Sequence, residues 1–131
     1  MQWLIDLIIE AIGIPPTFID RGDPATVDWT EAVLIEDGAW RDLDLSTIVP
    51  EGATAVALFA RISGTLVGQQ IFFRTKGNTH TINMAANRSQ VADNENIEDL
   101  IVACDTNRVI QYKADADPWN WITITVKGWW L

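Results

Sequence analysis

The sequence predicts a mostly β protein: an antiparallel β-sandwich, jelly-roll-like or of another Greek-key type, preceded by a short apolar N-terminal helix or arm. Three observations predict it. Beyond Thr26, short runs rich in Val, Ile, Thr and aromatic residues recur between turn signals such as Asp37-Gly38, Pro50-Glu51-Gly52 and Lys76-Gly77-Asn78. The same region carries almost no helix-period patterning. At 131 residues the chain is long enough for one such domain with one core.

Hydrophobic residues make up 48% of the chain and charged residues 21%, which favours folding over disorder. Eighteen acidic residues against nine basic ones give a net charge of -9. Such a field repels phosphate backbones and anionic headgroups, so neither nucleic acid nor a membrane is an expected partner. Cys104 is the single cysteine and has no intramolecular disulfide partner. Its place in the run "LIVAC" reads as a small buried hydrophobe, and nothing calls for an oxidising compartment.

Residues 1–14 form the first unit, an apolar helix or anchor. Gln2, Asp6 and Glu10 make one narrow polar stripe, while Trp3, Leu4, Leu7, Ile8 and Ile12 help cover the remaining circumference. Gly13 and Pro15-Pro16 stop the helix. A short strand is the competing reading, because the isoleucines are β-branched. The stretch lacks a basic n-region and a small-residue cleavage site, and it is shorter than the ~20 residues of a membrane span. It therefore reads as a segment buried against its own domain, against copies of itself or against a larger partner, since a helix of about three turns is marginal alone.

Residues 15–26, "PPTFIDRGDPAT", contain three prolines and a glycine without periodicity, which reads as an extended connector. Arg21-Gly22-Asp23 is read as a turn, not as an adhesion tripeptide. Residues 27–131 form the sandwich, in about eight strands. They are expected in "VDWTEAVLIE", "AWRDLDLS", "ATAVALFARI", "QQIFFRT", "THTINM", "IEDLIVAC", "VIQYKA" and "WNWITITV", with "AANRSQVADNEN" as a polar loop.

Seven tryptophans are present, four of them in the closing "PWNWITITVKGWWL". Strand alternation divides that stretch into two rows: Ile122, Ile124 and Val126 toward a core, and Trp119, Trp121, Thr123, Thr125 and Lys127 outward. Two indoles on an outer row mark contact with another chain segment, another subunit or a stacked pyranose ring. Trp129 and Trp130 are adjacent, so one can plug the sandwich while the other faces out.

Catalytic signals are weak. His80 stands without a second histidine, and Cys104 without a nearby one. Asp93, Glu95, Glu98 and Asp99 cluster around one loop and Asp115 and Asp117 around another, without EF-hand spacing. Phosphate-binding Gly-rich loops and nucleophile elbows are not found. No metal, cofactor or enzymatic role is expected. Asn87-Arg88-Ser89 is a formal glycosylation sequon, idle in a protein that is not secreted.

The phrase "GAWRDLDLSTIVPEGATAVALFARI", with the closing "ITVKGWW", resembles small β-sandwich domains of accessory virion proteins of tailed bacteriophages. Trp40, Leu43, Leu45, Ser46, Val49, Pro50, Gly52 and Ala53, then Gly128, Trp129 and Trp130, carry the likeness. It covers roughly residues 27–131 and speaks to turns and core more than to role. The resemblance implies a capsid-decoration or fibre component, made in the host cytoplasm and resident in the virion. It also implies symmetric homo-oligomers, often trimers, with an N-terminal arm gripping other virion proteins. The anchor-connector-sandwich layout fits this independently, with Trp3, Leu4, Leu7, Ile8 and Ile12 at the oligomer contact and Trp119, Trp121 and Trp130 on an interaction surface. The rival expectation is a carbohydrate-binding module whose exposed tryptophans hold a host glycan.

Overall fold

The computed structural model describes residues 17–131. The expected helix over 1–14, and with it Trp3, Leu4, Leu7, Ile8 and Ile12, lies outside the described residues.

Among the described residues the chain forms nine strands: β1 (Phe18–Asp20), β2 (Trp29–Thr30), β3 (Arg41–Asp44), β4 (Ala55–Gly64), β5 (Gln70–Thr75), β6 (Ala85–Arg88), β7 (Glu95–Ala103), β8 (Val109–Ala114) and β9 (Trp119–Trp130). All pairings are antiparallel. One sheet, sheet A, runs β1-β9-β4-β7, with β2 also on β9; the other, sheet B, runs β3-β8-β5-β6. Successive strands from β3 to β9 pass repeatedly between the sheets, which gives a β-sandwich-like arrangement with one shared core.

Period-two alternation builds that core. Val56, Leu58, Ala60 and Ile62 of β4 and Ile122, Ile124 and Val126 of β9 are fully buried, facing Ile71 and Phe73 of β5 and Ile110 and Ala114 of β8. Each large aliphatic or aromatic side chain removed from water contributes about 1.5–3 kcal/mol, so this cluster is the main source of stability. On edge strand β7, Glu98 stands opposite buried Ala60 yet stays exposed. A charge at such a place discourages further strands from adding to the edge.

Three segments depart from the sequence-based expectation. In 27–36 only Trp29–Thr30 is strand. The chain then turns, with the Val33 and Leu34 amides donating to the Thr30 carbonyl. That turn seats Leu34 in the core and leaves Val33 and Ile35 exposed. Residues 79–84 are bend and irregular chain, and Ile82 is 91% exposed. The strand lies instead at 85–88, inside the stretch expected to be loop. Its Ala and Asn have poor β propensity; the strand is formed by pairing with β5, and Asn87 ties it to the other sheet, its Nδ2 donating to the carbonyls of Ala60 (3.0 Å) and Asn96 (3.1 Å).

The stretch expected as connector contains β1 and follows β9 closely. Thr17 and Leu131 exchange backbone hydrogen bonds, and Arg21 N donates to Lys127 O. Asp28 N and Glu31 N donate to the carbonyls of Ile124 and Ile122. Where backbone pairing lapses, side chains replace it: Val126 N donates to Asp28 Oδ2 at 2.8 Å, and Ile122 N to Glu31 Oε2 at 3.1 Å. Residues 17–31 thus cover the free edge of β9, satisfying amides that would otherwise be left open.

Candidate interaction surface

The closing strand β9 is irregular at two points, and these decide where its tryptophans go. Ser63 pairs with Trp121 and Gly64 with Trp119, so Asn120 is an extra residue in β9. The Asn120 amide secures the bulge by donating to Ser63 Oγ (3.1 Å) and Asp93 Oδ1 (2.9 Å). A one-residue insertion reverses which face the preceding residue occupies. Trp119 accordingly packs against the core, and its Nε1 donates to the Asp115 carbonyl at 3.0 Å. Trp121 stays on the outer face, 37% exposed. The expected common outer row of Trp119 and Trp121 is therefore corrected: the bulge puts the two indoles in different surroundings.

The second irregularity falls between Ala57 and Leu58, where Lys127 is the additional residue in β9. It turns Trp129 onto the core. Trp130, next in the chain, faces out and meets Phe18 with ring centroids 4.8 Å apart and planes inclined by 56°. One of the adjacent indoles plugs the sandwich and the other joins its surface.

Phe18 and Trp130 border a shallow depression of about 490 Å³ on the outer face of sheet A, continued by Ala57, Leu100 and Ile101, with Lys127 at its rim. Ile101 is 66% exposed, and Lys127 Nζ is 3.0 Å from Asp99 Oδ1. The Thr17–Leu131 backbone pair places the point where residues 1–16 join the body beside this depression. Sequence reasoning found Trp130 and missed Phe18, which sits in a proline-rich stretch, and Ile101. The signal for Ile101 was the alternation of Ile97, Asp99 and Ile101 along β7.

The other candidates are used separately. Asp93 receives Asn120, Glu95 pairs with Arg61 at 2.7 Å, and Asp115 Oδ2 accepts the Gln70 amide at 2.9 Å. Glu98 and Asp117 are exposed, as is His80 in the loop after β5. Among the described residues no three His, Cys, Asp or Glu side chains converge as a metal cluster. Cys104 Sγ donates to the Ala53 carbonyl at 3.3 Å, and burial pushes its thiol above the ordinary range, which dulls it as a nucleophile. Asn87 of the sequon is 1% exposed and engaged in the inter-sheet bridge. Arg21 forks onto Asp28 at 2.5 and 2.9 Å, so the Arg-Gly-Asp arginine is a structural brace.

Compared with protein-family models and with curated proteins, the chain matches none.

Proposed function

We propose that this chain is a non-enzymatic structural protein of a bacteriophage-like particle, a capsid-decoration or fibre component that docks through its N-terminal arm and self-associates as a trimer. The body is read as a jelly-roll-like sandwich, and its partners as copies of itself and other virion proteins. The observation that carries the reading is the apolar depression between Phe18 and Trp130, next to Thr17, the first described residue. Exposed hydrocarbon disfavours a monomer by about 25 cal/mol per Å² left in water; the depression is one such surface, and the apolar composition of residues 1–14 adds hydrocarbon that has to be covered. The resemblance carried by Trp40, Leu43, Leu45 and the Gly128-Trp129-Trp130 ending supplies the particle context. The rival carbohydrate reading loses its two-indole platform, because Trp119 packs inward.

Two measurements test this. Mass spectrometry of purified particles should find the chain as a constituent, and its absence from them overturns the particle reading. Light scattering at micromolar concentration should show a trimer for the full chain and smaller species for the full-length variants Leu4→Asp, Ile8→Asp and Ile101→Asp. A monodisperse monomer of the unaltered protein overturns the self-association.

A further inference from the structure

Of the nine lysines and arginines, Arg21, Arg41, Arg61, Lys76 and Lys127 pair with carboxylates. The other four have no carboxylate partner among the described residues: Arg108 donates to the carbonyls of Ser46 and Val49, while Arg74, Arg88 and Lys113 stand on the outer face of sheet B. On a chain of net charge -9 this is a local reversal of sign.

The cations are interleaved with aromatic rings. Trp40 immediately precedes β3, in line with Lys113 and Phe72, which pair across β8 and β5. The Arg74 guanidinium carbon lies 3.9 Å over the Trp40 ring, and Lys113 Nζ is 5.2 Å from both the Trp40 and Phe72 rings. Arg74 is also held at one nitrogen: its Nε donates to Gln111 Oε1 at 2.9 Å. Gln111 Nε2 in turn donates to Asp42 Oδ1 at 3.0 Å, while Asp42 Oδ2 takes Lys76 Nζ at 2.5 Å. Asp42 is thus neutralised by Lys76, and an uncharged amide stands between it and Arg74. Of the other carboxylates at this side of the sheet, Asp37 pairs with Arg41, while Asp115 and Asp44 have no cation partner among the described residues and accept the backbone amides of Gln70 and Ser46. Stacking and one hydrogen bond fix the guanidinium plane, and its two terminal nitrogens make no hydrogen bond within the described residues. A fork held in this way is organised for a planar anion before that anion arrives.

We propose that the outer face of sheet B binds an acidic saccharide, with the carboxylate of a sugar acid on the Arg74 fork and Lys113 and the pyranose ring against Phe72. Phe72 and Arg74 are two residues apart on one face of β5, about 7 Å along the strand, a span suited to one sugar residue. Opposite Phe72 stands Ala86, small and exposed, so that side of the ring is open. A peptide is disfavoured because β5 and β8 lie inside the sheet, with their backbone groups already paired on both sides. A long polyanion such as nucleic acid would meet the surrounding negative field. This site is independent of the structural-protein reading and distinct from Trp119 and Trp121.

The test is calorimetric titration of the full-length protein with trigalacturonate and with sialyllactose, against lactose and a hepta-glutamate peptide. The result expected is binding of at least one of the two acidic sugars, weakening with added salt, with no binding of lactose. Arg74→Gln should weaken it by about 10- to 100-fold, as loss of a charged hydrogen-bonding partner does. Arg74→Lys, which keeps charge without the fork, should also weaken it, as should Lys113→Gln; Arg61→Gln on the other sheet should not. Circular dichroism identifies the variants that remain folded. Absence of binding by both acidic sugars at low salt overturns the proposal, as does affinity unchanged in all three folded face variants. Hepta-glutamate binding as tightly as the sugars also overturns it, and assigns the face to acidic protein segments.

Discussion

The ring of Phe18 rests on Gly128: a Cβ at position 128 would overlap both that ring and the carbonyl of Ile19. The backbone of Gly128 is not in the left-handed region, so the need is for close approach. Gly128→Ala should therefore displace β1 from β9, at about 1–3 kcal/mol in chemical denaturation. Amide exchange should locate the change: faster at Thr17 and Arg21, unchanged at Leu58 and Ile124. Uniform protection across β1 in the variant would contradict this seat.

Trp119 and Trp121 should differ sharply when truncated. Trp119→Ala removes an indole packed on the core and the bond to the Asp115 carbonyl, and should cost about 3 kcal/mol. Trp121→Ala, on the outer face, should cost about 1 kcal/mol or less. Denaturation midpoints of the two variants check this, and equal losses would mean that Asn120 does not bulge as described.

Asn87 joins β6 to β4 and β7, and Asn96 Nδ2 donates to its Oδ1 at 2.6 Å. Asn87→Ala should destabilise the fold by about 1–3 kcal/mol, because buried carbonyls lose their donors. An aspartate at this place would bring a buried charge, so Asn87→Asp should be the less stable of the two at neutral pH and gain on the alanine variant as acid neutralises it.

Asp42 predicts an acid-side dependence. The hydrogen bond from Lys76, and then that from Gln111, hold its carboxyl below the ordinary 3.8. A depressed folded-state pKa stabilises above the unfolded value, and that contribution is lost as pH falls through the folded one. The stability difference between the unaltered protein and Asp42→Asn should be full at neutral pH and shrink below about pH 4. Because the group is exposed, the difference is small and sensitive to salt. A gap that widens on acidification would reverse the assignment.

Much of this architecture was legible in the order of residues. The alternation in "ATAVALFARI", "QQIFFRT" and "WNWITITV" placed β4, β5 and β9, and put Ile122, Ile124 and Val126 in the core, because side-chain direction in a strand is a local, period-two property. Turn pairs such as Asp37-Gly38 separated the strands, since glycine meets the backbone demand of a tight turn wherever the rest of the chain lies. The jelly-roll detail and the helix over residues 1–14 stay expectations of that same reading.

Tertiary structure decided what depends on a partner backbone. The bulges at Asn120 and Lys127 arise from register against β4, and Asn120 is held by Ser63 and Asp93, both distant in sequence. They invert local parity, which is why Trp119 turns inward against the reading of its own strand. Strand β6 pairs with β5 and is tied by Asn87 to the other sheet, and β1 lies on β9 where Gly128 leaves room for Phe18. The stack of Arg74 on Trp40 likewise joins residues from the start of β3 and from β5, brought together only because β8 pairs with both. Local pattern sets the direction of a side chain; its neighbours come from contacts between residues far apart in the chain.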